Sequence, residues 1–468
     1  MLYNSFTFLL FFPVAVTLYY LLPHKVRWVY LLVVSYLFYA NWNPAYLLIL
    51  IATTLFTWCC GGLIGGGHHS KWFLGICIAL SFSGLFVYKY LNFFNETIFG
   101  LLNLCGLRMA VPKFDLLLPI GISFYTFMAV GYMVDVWKGK IKHEKNLAKY
   151  ALFVSFFPQV AAGPIGRAGD LLPQFTERHP LRQENLSKGL RMMLWGYFMK
   201  VVVADRLALY TGAVFGNLQY HNGVTILVAA AMFSIQIYCD FAGYSYLAWG
   251  TAKAMGFNLI QNFERPYMSR SVTEFWRRWH ISLSTWFRDY VYFPLGGSRR
   301  SKWRVRFNLM VTFLVSGLWH GANWTFVVWG GLNGLFQVIG KALPSFKNST
   351  KRGLERLHHL WDMGTTFVLM TIAWVFFKSN TIGDAFYAVK SMLVPTGKLY
   401  VPQVSIMTYC IVGILMLSVC DLFWERNGRH PLLENRSIVV RFATYVGFAM
   451  MILVMGVFDG GQFIYFQF

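Results

Sequence analysis

The sequence predicts an all-α polytopic integral membrane protein, with about 11 transmembrane helices plus re-entrant and amphipathic pieces. Three observations carry this. Of 468 residues, 57% are hydrophobic and only 13% are charged, against about 25% charged in an ordinary soluble domain. Hydrophobic segments recur along the whole length. Aromatic residues reach 19%, and the 17 Trp and 26 Tyr suit membrane interfaces, where one end of the ring is wet. No internal repeat or low-complexity linker interrupts the pattern, so residues 1–468 read as a single transmembrane domain.

A helix needs about 20 apolar residues to cross a bilayer core. In chain order the candidate segments are 5–22, 28–40, 46–64, 72–94, 116–137, 150–165, 189–215, 224–257, 307–319, 324–342, 365–377, 404–424 and 438–458. Segments 28–40 and 150–165 are too short to cross alone. They read as half-helices or re-entrant pieces, tolerated at membrane depth only where protein surrounds their backbone. The first stretch lacks a small-residue cleavage site and reads as a mature span.

The formal net charge is +22. In a membrane protein such an excess belongs in cytoplasmic loops. The first loop carries His24, Lys25 and Arg27, and the loop before the last span carries Arg426, Arg429, Arg436 and Arg441. Neither terminus has a Lys or Arg outside its nearest span, so both termini are expected outside the cytoplasm. That requires an even number of crossings, and an odd count would make one segment re-entrant. Residues 138–145 and 299–306 are further cytoplasmic loops. The surrounding partner is membrane lipid. No solvated basic domain exists that could serve as a nucleic-acid footprint. In the 299–306 loop, Arg299, Arg300, Lys302, Arg304 and Arg306 instead form a cluster that would steer an anionic cytosolic substrate.

Seven scattered cysteines without a Cys-x-x-Cys pair exclude a disulfide framework and a zinc site. His68-His69 and His358-His359 sit in polar stretches without metal-ligand spacing, so no metal is expected. Neither a P-loop nor a Gly-x-Ser-x-Gly elbow occurs. Gly121 and Gly131 read as sites of close helix packing.

Residues 271–290 (SVTEFWRRWHISLSTWFRDY) read as one amphipathic helix. Ser271 and Glu274 fit a capping box, and Trp276, Trp279, Leu283, Trp286 and Tyr290 recur on one apolar face. His280 falls on that face, where a histidine is more often a packing residue than a catalyst. His320 is placed differently. It follows the basic loop by 14 residues, roughly 20 Å along a helix, inside the segment VSGLWHGANWTFVVWGG. Ionisable groups at membrane depth are costly and carry a functional hypothesis by default. A desolvated imidazole is neutral and accepts a proton, as a general base on a hydroxyl must. The residues alone leave His320 open between that role and a structural histidine bonded between helices. Asp240 is a midspan charge that needs a buried cation or several hydrogen-bond donors, and Tyr244 and Ser245 beside it could line a polar cavity. The last six residues, FIYFQF, are too few to span and too apolar for a solvated tail. They are expected to fold back onto the protein or into the interface.

These stretches together resemble the membrane-bound O-acyltransferase family, and within it the bacterial alginate O-acetylation type. The matching segments are LPIGISFYTF (118–127), AAGPIGRAGDLLPQF (161–175), YCDFAGYS (238–245), TEFWRRWHISLSTWFRDYVYFPLGG (273–297) and GLWHGANWTFVVWG (317–330). The resemblance implies a bowl-like helical bundle with a central tunnel and a core block over residues 116–342. It maps the family's invariant histidine onto His320 and a second, partly conserved polar position onto His280. Trp279, Trp319 and Asn323 then join Asp240, Tyr244 and Ser245 as candidate substrate or tunnel residues. It further implies a bacterial cytoplasmic membrane location and acetyl-CoA as acyl donor, with no bound cofactor. The acceptor would be an extracytoplasmic polysaccharide, reached through a separate extracytoplasmic acyltransferase, since this chain has no serine-hydrolase pattern of its own. Related teichoic-acid systems use a small partner ending in an aromatic motif with a tyrosine. The tail 459–468 is similar to it, with Tyr465 at the matching position as a possible acyl relay. Two other readings of the same residues are a transporter of acyl groups or glycans without chemistry, and a scaffold subunit of a polysaccharide synthase.

Overall fold

A backbone in lipid has no water to satisfy its amides, so an apolar chain without alternating strand patterns satisfies them within helices. The computed structural model describes residues 1–468 except 69, 108, 162, 343–351, 459–462 and 465–468. Every regular element among the described residues is helical. Among the described residues, six helices are long and apolar enough to cross a membrane: Pro44–Gly65, Lys71–Leu104, Gly223–Ala254, Leu357–Lys378, Val404–Asn427 and Ile438–Met455. Phe6–Leu21 and Ile122–Trp137 are shorter and apolar.

Packing divides the chain into two units. One comprises Met1–Gly189, Thr251–Ile260 and Gly321–Asn323; the other comprises Leu190–Gly250, Gln261–His320 and Trp324–Phe468. In the first unit the helix Ile122–Trp137 is enclosed, with every residue from Ile122 to Val136 buried. It starts at Gly121, whose φ of 77° only glycine adopts readily, and a Cβ there would collide with the Val160 carbonyl oxygen. The expected packing role of Gly121 follows from this contact. Segment 150–165 takes the expected broken form, as the buried short helices Leu147–Ser155 and Phe157–Val160. Tyr3 donates to the Phe157 carbonyl at 2.8 Å and anchors an aromatic cluster with Phe8 and Phe38.

The second unit carries the residues of chemical interest. Lys302–His320 and Trp324–Ala342 form a helical hairpin that brings segments 307–319 and 324–342 face to face. Glycines let the backbones touch: a Cβ on Gly317 would lie 3.2 Å from the Gly330 Cα and against the Phe326 carbonyl. Gly317→Val is therefore expected to spread the hairpin and destabilise the fold by about 1–3 kcal/mol. The check is thermal unfolding of the detergent-solubilised protein, and an unchanged midpoint would show that the arms are not closely packed.

Two elements differ from the sequence reading. Segment 189–215 is helical throughout, as expected, but it is not uniformly apolar or regular. It is the helix Gln183–Tyr197, a π-helical turn Phe198–Ala204 and the helix Asp205–Phe215, carrying Lys200, Asp205 and Arg206. Residues 271–290 are not one amphipathic helix. They form two seven-residue helices, Val272–Arg278 and Ile281–Phe287, then a π turn Arg288–Tyr292. The break falls at His280, which takes a left-handed φ of 44°. The Ser271–Glu274 cap forms as expected, with Ser271 Oγ accepting from the Glu274 amide at 3.1 Å.

Candidate active site

His280 occupies the N-cap of the second short helix, where a left-handed conformation costs a non-glycine residue about 1–2 kcal/mol. Its side chain is fully buried. The imidazole lies 4.5 Å from the Phe241 ring and 6.1 Å from that of Trp319. His280 sits outside the six long apolar helices, and burial holds its pKa well below the usual imidazole value. Its neutral form, which accepts a proton, therefore prevails at physiological pH.

His320 closes the first arm of the hairpin and is 3% exposed. Trp319, Trp329 and Phe377 surround its ring at 4.9, 4.8 and 5.5 Å. The Trp319 ring thus neighbours both histidines. At 6.1 Å from one and 4.9 Å from the other, it limits their separation to 11.0 Å. Arg306 lies on the same unbroken helix as His320, 14 residues back, so the two are about 20 Å apart along its axis. Arg299, Arg300, Lys302, Arg304 and Arg306 are all exposed, as steering residues would have to be.

The remaining candidates separate into distinct surroundings. Trp279 is wholly buried between Phe263 and Trp374, and it connects to His320 through Trp374 and then either Trp329 or Phe377. Its place is in the aromatic core. Asn323 is half-buried on the tight turn after His320 and is grouped by packing with the first unit. Ser245 Oγ accepts from Asn262 Nδ2 at 3.4 Å.

Asp240 has the buried cation that its depth demands, and it is a lysine. Lys200 Nζ pairs with Asp240 Oδ1 and with Asp205 Oδ1, the latter at 2.8 Å, and all three side chains are at most 5% exposed. Close approach at two glycines makes this possible: a Cβ on Gly243 would meet the Gly196 carbonyl at 2.8 Å and Lys200 N at 3.0 Å. The second oxygen of Asp240 accepts from the backbone N–H of Ile464 at 2.8 Å. Phe463 stacks on Tyr244 at 4.6 Å and packs on Phe241 at 5.5 Å. Upstream, the Val457 N–H donates to the Val201 carbonyl in the π turn at 3.0 Å, and Arg206 binds the Met455 carbonyl. Val457, Phe463 and Ile464, described residues beyond the last span, are therefore seated against the second unit, in line with the fold-back onto the protein that was one of the two expected forms. Tyr465 itself lies outside the described residues.

Sequence reasoning missed Lys200, Phe241 and Asn262. A lysine in the apolar run LWGYFMKVVVAD was a visible signal, by the same rule of costly buried charge that singled out Asp240. Phe241 and Asn262 carry no signal in one sequence.

A family model for the membrane-bound O-acyltransferase family matches residues 140–378, just over half of the chain. The chain belongs to that family. It is 40% identical to a probable alginate O-acetylase AlgI of Pseudomonas aeruginosa, over 84% of this chain and 75% of that protein. It is 32% identical to a peptidoglycan O-acetyltransferase of Helicobacter pylori, over 78% and 73%. A teichoic acid D-alanyltransferase of Streptococcus thermophilus is 29% identical over 59% and 72%. With its apolar helices, this membership makes the protein a multi-pass membrane O-acyltransferase, and it sets aside a scaffold or a transporter without chemistry.

Proposed function

We propose that this acyltransferase takes an acetyl group from cytosolic acetyl-CoA and delivers it for O-acetylation of an extracytoplasmic envelope polysaccharide, working in the bacterial cytoplasmic membrane with both termini outside. The relatives named for alginate and peptidoglycan O-acetylation support this acceptor class. The exposed basic cluster 299–306 attracts the phosphates of the donor. His320 accepts the proton of the attacking hydroxyl as its oxygen bonds to the thioester carbonyl carbon. The C–S bond then breaks, and the CoA thiolate takes that proton from His320. His280 orients donor or acceptor beside it. The observation that carries this reading is the Trp319 ring, which lies beside two buried histidines and so limits their separation to 11.0 Å.

In this proposal the first hydroxyl acetylated is the phenol of Tyr465, and a separate extracytoplasmic acyltransferase moves the acetyl group from it to the polymer. Phe241 supports that order, because its ring lies 4.5 Å from that of His280 and 5.5 Å from that of Phe463. A neutral phenol has a pKa near 10 and needs an adjacent base to attack. Tyr465→Phe keeps the ring and removes the hydroxyl. It is expected to abolish acetyl label on the intact protein incubated with labelled acetyl-CoA, and to abolish polymer O-acetylation in cells. Wild-type polymer acetylation in that variant would remove the relay.

A further inference from the structure

We infer that Asn262 is a positioning residue for His280, capping from a distance the helix that the histidine begins. The first amides of any helix lack partners within it, and a Ser, Thr, Asp or Asn at the N-cap usually supplies one. Here the N-cap is His280, and its side chain makes no capping bond. Asn262 supplies both acceptors instead. Its carbonyl oxygen accepts from the Ile281 N–H at 3.0 Å, and its side-chain Oδ1 accepts from the Ser282 N–H at 3.2 Å. Asn262 is 1% exposed, and its Nδ2 donates to Ser245 Oγ at 3.4 Å, which fixes the orientation of the amide.

The two chain segments are held together on either side of this contact. The Glu264 N–H donates to the Arg278 carbonyl at 3.0 Å. The Glu425 carboxylate grips Arg265 at 2.7 Å and Arg278 at 2.8 Å. Strained backbone persists only where its surroundings over-determine it. Asn262 is the element of this clamp that acts directly on the left-handed turn at His280. Removing its Oδ1 lets that turn relax toward the right-handed region, which swings the Cα–Cβ bond and carries the imidazole away from Trp319.

This inference rests on the reading that His280 serves acyl transfer, so the experiment separates the two. Full-length Asn262→Ala, Asn262→Asp, His280→Ala and the Asn262→Ala/His280→Ala double variant are compared in membrane vesicles, with turnover of labelled acetyl-CoA as readout. Asn262→Ala is expected to lower kcat about ten- to a hundredfold, the scale of a misplaced catalytic group. KM should stay within about twofold, and Asn262→Asp, which keeps the acceptor oxygen, should return kcat to within about threefold of wild type. In the His280→Ala background the same change should cost nothing further. Wild-type kcat in Asn262→Ala, or an equal loss in both backgrounds, overturns the positioning role while leaving His280 in place. Wild-type activity of His280→Ala overturns the reading of His280 and the inference with it. If Asn262→Ala does not accumulate, Asn262→Ser, whose shorter side chain withdraws the oxygen from Ser282, takes its place.

Discussion

His320→Ala is expected to lower acetyl transfer by about 10²–10⁴-fold, the usual contribution of a positioned general base. The ring fills space among Trp319, Trp329 and Phe377, so the alanine variant also leaves a cavity and loses some stability. His320→Gln separates the two effects. It retains most of the volume and hydrogen-bonding capacity but cannot take up a proton near neutral pH. Both variants should lose activity to a similar extent, while the glutamine variant accumulates and unfolds near wild type. O-acetyl content of the envelope polysaccharide, released by mild alkali, is the cellular measure. Substantial O-acetylation with glutamine at this position would leave His320 only a packing role.

The largest expected stability effect lies at Lys200. Its ammonium pairs with both Asp205 and Asp240, deep in the second unit. Lys200→Met keeps the length of the side chain and leaves two buried carboxylates without that cation, a loss of about 3–5 kcal/mol. Folded protein recovered from membranes should fall accordingly, and the survivors should unfold at lower temperature. Adding Asp205→Asn removes one of the stranded charges and should restore part of the loss, because a missing pair costs less than a broken one. Asp240→Asn should behave differently. It can still accept from the Ile464 N–H, so the tail remains seated while its ionic anchor weakens. Protease sensitivity of the C-terminal segment is the measure. A Lys200→Met protein as stable as wild type would show that the three charges contribute nothing net to the fold.

The helical architecture was legible because hydrophobicity and the bilayer act on every residue alike. Long runs such as 46–64, 404–424 and 438–458 reappear as long apolar helices with similar bounds. The Ser271–Glu274 cap was legible too, since it is local and its geometry follows from four consecutive residues. The site was legible only in part. Asp240 stood out as a charge in need of a partner, and the resemblance singled out His280 and His320. Yet nothing in residues 271–290 announced a break at His280, because the residue that stabilises the break, Asn262, is 18 positions upstream and acts through tertiary hydrogen bonds. Periodicity extrapolates a helix through any residue that does not locally forbid it, and histidine does not.

From the sequence alone came the membrane class, the helical character, Asp240 and His320 as ionisable residues at membrane depth, and the resemblance that marks His280 and His320. Those properties depend on composition and short-range pattern. The tertiary structure decided which buried charge answers which. It paired Lys200 with Asp240 across a crossing at Gly196 and Gly243, and it gave the second oxygen of Asp240 to the C-terminal segment. It also placed the Trp319 ring beside both histidines. Apart from Trp319 and His320, which are sequence neighbours, these contacts join residues tens to hundreds of positions apart, and the close approach of particular backbones selects them, which no local pattern of one sequence encodes.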